Sequence, residues 1–526
     1  MDFNYTKSGP IFNLHTYWTK QPIEPIEYYI DKYTERGDVV LDPFSGTGMT
    51  GVASLKMDRN CILNDISVIA RHISSGYTTN LAMNDNDEKI NVYWNRIKKR
   101  IESLYLTRCA HCNTSNQIMY SIVGEEYYDK DNNIISVGDK MFSAIRSGGT
   151  YKAPKDLNFK SFKLIKIVHN CTCSEEKCYK TPSNDDLNLY LTDKYKGLYY
   201  PEFNFFGNEP KRNIKKNITK VFQLYSPRNL TAISMIYDEI KQIKEEDIFK
   251  LFLFAFTSIL FNNSLMSRYR SYENTSIKMG TYYIPPIIKD NNVLKSFEKK
   301  LFNIIKVNKV IFKNSMSTIT ILNNSAHDLK SIGNDSIDYI YTDPPYTDVI
   351  SYSELNLVWE AWLDGITDTS DEMIVNKFQN KSVEDYSSQF LKFLNEAYRV
   401  LKLNKYLTIV FHHPSIEHWA SLQETIISSN FIPILTKLPN RIISKNKTSS
   451  QHRTNKNSQC FLVFTLKKEN SKKFTLTELS NTEYQKLLFD LQKEALLLGY
   501  QNKSDIFDFT INSLFFSYKI KPNILI

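Results

Sequence analysis

The stretch Asp38-Val39-Val40-Leu41-Asp42-Pro43-Phe44-Ser45-Gly46-Thr47-Gly48-Met49-Thr50-Gly51 decides how the rest of the chain is read. Val39, Val40 and Leu41 form a short apolar strand that an acid and a proline end abruptly. Glycines two residues apart then supply a tight turn, and a helical pattern begins behind them. Cys61-Ile62-Leu63 follows as a second strand, completing a βαβ unit.

Working outward, the alternation belongs to two separate regions. Residues 1–80 carry the first unit, and the rhythm returns over 311–470. There, Thr318-Ile319-Thr320-Ile321-Leu322, Ile337-Asp338-Tyr339-Ile340-Tyr341, Tyr406-Leu407-Thr408-Ile409-Val410 and Cys460-Phe461-Leu462-Val463-Phe464 all read as strands. Residues 81–310 lose the alternation, and 471–526 read as a helical tail. The expected fold is α/β: a Rossmann-like parallel sheet split by a long α+β insertion.

Composition sets outer limits. The 526 residues are 42% hydrophobic and 13% aromatic, enough to bury a core, which excludes wholesale disorder. Lys and Arg number 66 against 57 acids, a net +9 that permits a polyanionic partner without demanding one. The N-terminus shows no secretory pattern, and the most apolar run, Leu251 to Phe261, is too short to span a bilayer. The expectation is a cytoplasmic protein with no membrane partner.

The glycine loop implies a ligand. Glycines let the backbone approach it closely, and the helix behind offers free N–H groups. Asp65 stands about one βα unit later, where a carboxylate can take a ribose diol. Gly46-x-Gly48-x-x-Gly51 also satisfies a dinucleotide pattern, so a nicotinamide oxidoreductase is one alternative, and a turn with no ligand is another. Asp42 at the strand end can reach a ligand ammonium, and Pro43-Phe44 stiffens the approach. A cationic amino-acid end plus a ribose describes S-adenosylmethionine better than a pyrophosphate.

The strand Ile337–Tyr341 runs into Thr342-Asp343-Pro344-Pro345-Tyr346. Consecutive prolines fix φ and forbid a helix, so a rigid loop projects from the strand's C-terminal end, where ligands bind in parallel sheets. The Asp343 carboxylate and the Pro344 carbonyl can each accept one hydrogen of an amine, while Tyr346 stacks on the ring that bears it. Two such acceptors favour the pyramidal nitrogen that attacks a sulfonium methyl.

On these residues the chain resembles the DNA amino-methyltransferases, which methylate adenine N6 or cytosine N4. Asp42 to Gly48 is similar to their cofactor loop, and Asp343 to Tyr346 to their catalytic tetrad. Asn13-Leu14-His15-Thr16-Tyr17-Trp18-Thr19-Lys20 is similar to the segment that closes over the methionine end, which nominates Tyr17 and Lys20. The resemblance covers about 1–80 and 311–470. It implies S-adenosylmethionine as cofactor, double-stranded DNA as partner, a target base flipped from the duplex, and target recognition in the insertion. Within the family, Asp at the first tetrad position goes more often with adenine and Ser with cytosine, so Asp343 points to adenine N6, with cytosine N4 the alternative. RNA or protein amide methylation is a further alternative, in which Asn more often replaces Asp343. The chain shows no nuclease motif, so a nuclease of a restriction or defence system would be a separate partner. No Pro-Cys dipeptide occurs, so the cysteine nucleophile of the cytosine C5 enzymes is missing.

Five of the seven cysteines fall in two clusters, Cys109-Ala110-His111-Cys112 and Cys171-Thr172-Cys173-Ser174-Glu175-Glu176-Lys177-Cys178. A Cys-x-x-Cys knuckle with a second cluster is a structural zinc signature. Four of Cys109, Cys112, Cys171, Cys173 and Cys178 are expected to hold zinc and staple a ribbon, with His169 a further option and ordinary reduced thiols the plain alternative. A zinc-bearing nucleic-acid binder without catalysis would not need the other two motifs. Cys61 and Cys460, on strands, are expected in the core.

For DNA, Lys211-Arg212-Asn213-Ile214-Lys215-Lys216 places cations at helical spacing, either a phosphate-binding face or merely a solvated one. Arg268-Tyr269-Arg270 combines fork-shaped donors with a ring that can stack on a displaced base. Arg441, Lys445, Lys447, Arg453 and Lys456 form a basic loop near the tetrad's edge of the sheet. His412-His413-Pro414 ends a strand and either lines the pocket or only caps the strand.

Overall fold

The computed structural model describes residues 2–5, 9–80, 87–270, 277–312, 316–434, 440–444, 460–470, 474–498 and 503–522. In chain order the strands are β1 (Asp2–Tyr5), β2 (Val39–Asp42) and β3 (Asn60–Asn64), then β4 (Leu106–Arg108), β5 (Ser115–Tyr128), β6 (Ile134–Ser136), β7 (Asn158–Cys171), β8 (Ser174–Lys180) and β9 (Ile287–Asn291). They end with β10 (Ile319–Leu322), β11 (Ile337–Thr342), β12 (Leu401–Phe411), β13 (Phe431–Pro433), β14 (Asn440–Ser444) and β15 (Cys460–Lys468).

Two sheets result. The first has the order β10-β3-β2-β11-β12-β15-β14-β1, with β13 also on β15. Strands β10, β3, β2, β11 and β12 are parallel, whereas β15 runs antiparallel to both β12 and β14. Every strand expected from the sequence is present here. Strands β1, β13 and β14, which the sequence did not reveal, lie toward the far side. From β2 the chain moves outward to β3 and β10, then returns to the other side of β2 as β11. That reversal opens a crevice at the C-terminal ends of β2 and β11, the place where ligands enter such sheets.

Side-chain alternation sorts this sheet's residues into two cores. Val40, Leu63, Tyr339, Tyr341, Val410 and Val463 pack into one apolar cluster. Leu41, Ile340, Leu407, Ile409, Phe411 and Phe464 pack into another. Successive residues of a strand point to opposite faces, so a strand buried on both faces needs apolar residues throughout. Helices 23–33 and 49–56 cover the first face, and helices 383–400, 416–428, 481–497 and 503–515 the second. The first cluster also takes in Ile90, Trp94, Phe254 and Phe297 from helices 87–101, 246–259 and 293–311.

The second sheet is built on the long antiparallel pair β5 and β7, with β4, β6 and β9 on β5 and β8 on β7. Buried Arg228 ties helix 227–240 to it, its Nη2 donating to Asp290 on β9 at 2.8 Å and to Ser121 on β5 at 2.7 Å. Buried Glu354, on helix 352–360, accepts from the backbone N–H groups of Asn208 (2.7 Å) and Glu209 (3.0 Å). That carboxylate joins the segment between the sheets to the helix that follows the tetrad. No helix among the described residues is long and apolar enough to cross a membrane.

Candidate active site

Asp42 ends β2 with its carboxyl buried. Its Oδ2 accepts from Thr50 Oγ1 at 2.6 Å, and its Oδ1 from Thr342 Oγ1 at 3.1 Å and the Phe44 N–H at 3.2 Å. The carboxylate expected to reach for a ligand ammonium is thus already engaged with its own loop and with the end of β11, and its first task is to join the two motifs. Burial raises its pKa to about 7. Gly46 and Gly48 both take positive φ, +48° and +73°, and Gly48 caps helix 49–56. A Cβ on Gly48 would also lie 2.9 Å from Ser74 Oγ and 3.0 Å from its Cα, so both the turn and the close approach require glycine. Asp65 accepts from the N–H of Gly46 at 2.8 Å and of Ser67 at 2.9 Å, and burial raises it to about 6.

At the end of β11, Asp343 Oδ2 accepts from Gln21 Nε2 at 2.7 Å, and Oδ1 accepts from the Tyr346 hydroxyl. Burial raises Asp343 to about 6, against the two hydrogen bonds that lower it. The Pro345 carbonyl accepts from the Tyr386 hydroxyl at 2.7 Å, which fixes the loop from the opposite core. The ring of Tyr346 is buried edge-on to Phe411, with centroids 5.5 Å apart, and 5.8 Å from Phe461.

Both motifs meet in one cavity of about 1090 Å³, its open mouth included. Asp42, Pro43, Phe44, Gly46, Asp65, Asp343, Pro345 and Tyr17 all line it. Three buried carboxyls with raised pKa values suit a cationic ligand, because an arriving positive charge favours their ionised forms. Tyr17 stacks on Tyr352 at 6.0 Å, making an aromatic wall. Lys20, nominated for the cofactor, does not line the cavity. Its ammonium donates to the Phe12 carbonyl at 2.7 Å and to the Tyr77 hydroxyl, and burial holds its pKa well below the usual lysine range. Residues the sequence did not single out include Gln21, Thr19, Asn356 and Glu372. Tyr352 and Asn356, one turn apart on helix 352–360, are legible as one face only once that helix is known to border the crevice.

The cysteines converge. The sulfurs of Cys109, Cys112, Cys171 and Cys173 all lie within 4.8 Å of one another, the pairs 109–173, 112–171 and 171–173 at 3.6, 3.3 and 3.3 Å. Backbone N–H groups of the knuckles hold the Cys109 and Cys171 thiols below their ordinary range, toward the thiolate a metal needs. Cys178 falls instead with Cys109 and His169. Cys61 is buried on β3, as expected.

The basic residues fare unevenly. Lys211, Arg212, Lys215 and Lys216 form a 3₁₀ helix, Glu209–Lys216, rather than an α-helix. Lys216 turns inward to a buried ion pair with Glu125 and to the Ile284 carbonyl at 3.0 Å, so its charge does not face solvent as expected. Arg212 pairs with Glu209 at 3.0 Å, and Lys215 stays exposed. Arg268 is exposed and Arg270 half-buried, but Tyr269 between them is only 2% exposed and packs on Phe142, so it has no free face for a displaced base. His413 Nδ1 accepts from the Ser415 N–H at 3.0 Å, its Nε2 donates to Asp348 Oδ1 at 3.1 Å, and it does not line the cavity. Lys445, Lys447, Arg453 and Lys456 lie outside the described residues.

A family model described as DNA methylase matches residues 3–74 and 337–510, the segments that carry the glycine loop and the tetrad. The chain belongs to the adenine-N6/cytosine-N4 DNA methyltransferase family. It is therefore an amino-methyltransferase of DNA that uses S-adenosylmethionine. A comparison with curated proteins finds no match.

Proposed function

We propose that this protein transfers a methyl group from S-adenosylmethionine to the N6 amine of adenine in double-stranded DNA, on a Rossmann-like sheet. The observation that carries the reading is the shared cavity, with Asp65 and the glycine loop on one side and Asp343 on the other. The carboxylate of Asp343, where related enzymes for cytosine more often have Ser, favours adenine.

The bound cofactor supplies an electrophilic methyl on a sulfonium. Asp65 takes the ribose hydroxyls, and Gly46 and Gly48 let the backbone come close. Tyr17 closes one wall over the methionine end. Asp343 and the Pro344 carbonyl accept the two hydrogens of the target amine, which holds its lone pair toward the methyl and stabilises the positive charge that develops on nitrogen. One N–C bond would form as the S–C bond breaks, with the thioether S-adenosylhomocysteine as leaving group, and the methylated nitrogen would pass its extra proton to the Asp343 carboxylate and from there to water. Tyr346 holds Asp343 through its hydroxyl. For its ring to stack on the base, it must expose a face that Phe411 and Phe461 now crowd.

The division we propose is 1–80 and 311–470 for the catalytic halves, 81–310 for target recognition and 471–526 for the tail, in a cytoplasmic protein. One structural zinc on Cys109, Cys112, Cys171 and Cys173 staples the ribbon of β4, β7 and β8. Lys211, Lys215, Arg268 and Arg270 contact DNA, joined by Lys445 and Arg453. Any restriction or defence nuclease is a separate partner. Unmethylated duplex DNA incubated with radiolabelled S-adenosylmethionine, digested to nucleosides and weighed, tests the reading. N6-methyladenine is expected. N4-methylcytosine alone would overturn the base, and no transfer to any DNA would overturn the reaction.

A further inference from the structure

Gln21 stands one residue past the segment Asn13–Lys20, and its amide meets the tetrad. Its Nε2 donates to Asp343 Oδ2 at 2.7 Å and lies 3.4 Å from the Tyr346 hydroxyl, which itself donates to Oδ1. Two donors from opposite parts of the chain thus take the two oxygens separately and fix the plane of the carboxylate. The amide can face only one way, because its oxygen against a carboxylate would repel. That leaves Oε1 buried without a partner among the described residues, in the wall of the cavity. A buried acceptor left unpaired is costly, and natural proteins keep few of them away from working sites.

Resting on the reading that Asp343 accepts a hydrogen of the target amine, we propose that Gln21 is a positioning residue for methyl transfer. It holds Asp343 ionised and oriented toward that amine through the hydrogen bond from its Nε2. Without Gln21, desolvation of Asp343 is opposed by Tyr346 alone. The carboxyl then protonates at higher pH, and the acid limb of the rate profile moves upward with it.

Gln21→Leu removes both donor and acceptor; Gln21→Glu keeps an acceptor but sets a second negative charge beside Asp343. In each variant the acid limb of kcat should move up by about one pH unit, further for the glutamate. At pH 8, kcat should fall roughly ten- to hundredfold for the leucine variant, while the dissociation constant for S-adenosylmethionine stays within about twofold. Infrared titration of the carboxyl in the cofactor-free protein, with Asp343→Asn as blank, reads the same shift without turnover. An unmoved carboxyl titration, or a loss confined to cofactor binding, overturns the proposal. A wild-type protein that transfers no methyl group but shows the carboxyl shift overturns the underlying reaction and keeps only the hydrogen bond.

Discussion

Asp343→Asn separates a working carboxylate from a structural one. Burial lifts Asp343 from 3.8 to about 6, a difference of about two units, or about 3 kcal/mol. The folded state therefore holds a proton that the unfolded chain releases. That contribution is fully present below about pH 4 and is lost as pH rises through about 6. The neutral amide carries no such pH dependence. Against this gain, Gln21 Nε2 and the Tyr346 hydroxyl both point at the side chain, and an amide has one oxygen for two donors. One mispaired donor costs about 1–2 kcal/mol. The net at pH 8 is a variant more stable by about 1–2 kcal/mol, and at pH 4 one less stable by a similar amount. For 526 residues the unfolding entropy is about 1.1 kcal/mol per degree, so Tm should rise by roughly 1–2 °C at pH 8 and fall by as much at pH 4. Methyl transfer should meanwhile drop at least about a hundredfold, with cofactor binding nearly intact. Calorimetric scans at the two pH values and a radiolabel assay read both effects. Near-normal turnover, or the same loss of Tm at both pH values, would refute the assignment of Asp343 to the target amine.

Three further outcomes are expected. Metal analysis of protein purified without chelators should find about one zinc per chain, and Cys109→Ser with Cys112→Ser should lower Tm and DNA affinity while sparing cofactor binding; finding no metal ends the claim. Asp65→Ala should weaken S-adenosylmethionine binding by roughly ten- to hundredfold in calorimetry, because the ribose loses its acceptor and the Gly46 and Ser67 N–H groups lose theirs; unchanged affinity would remove Asp65 from the site. Gly48→Ala should cost about 1–2 kcal/mol from the left-handed φ alone, plus the contact with Ser74, and cofactor affinity should fall with it; a wild-type Tm and affinity would show that the turn relaxes.

The strands of the catalytic sheet and the chemistry of its two loops are determined by contiguous residues. Val39-Val40-Leu41 and Tyr339-Ile340-Tyr341 are apolar on both sides because each strand is covered on both faces, and such a run can be read without knowing what covers it. Glycine at 48 and the paired prolines at 344 and 345 impose their backbone locally, so the loops and the kind of ligand they suit are legible too. Strands β1, β13 and β14 escaped because Asp2, Asn4, Asn440 and Arg441 interrupt the first and last, and Pro433 ends the other, residue types that read as loop rather than strand. What only the tertiary structure decided is partnership. Lys216 looks like its solvated neighbours until folding sets it beside Glu125, and Tyr269 looks available until Phe142 covers it. Five cysteines compete in the sequence, and the β7–β8 hairpin chooses: Cys178 pairs across from His169, while Cys171 and Cys173 sit at the turn beside the first knuckle. Gln21 carries no local mark at all. It meets Asp343 because the strand order places β11 next to β2, and a hydrogen bond between residues 322 positions apart depends on that order rather than on either neighbourhood.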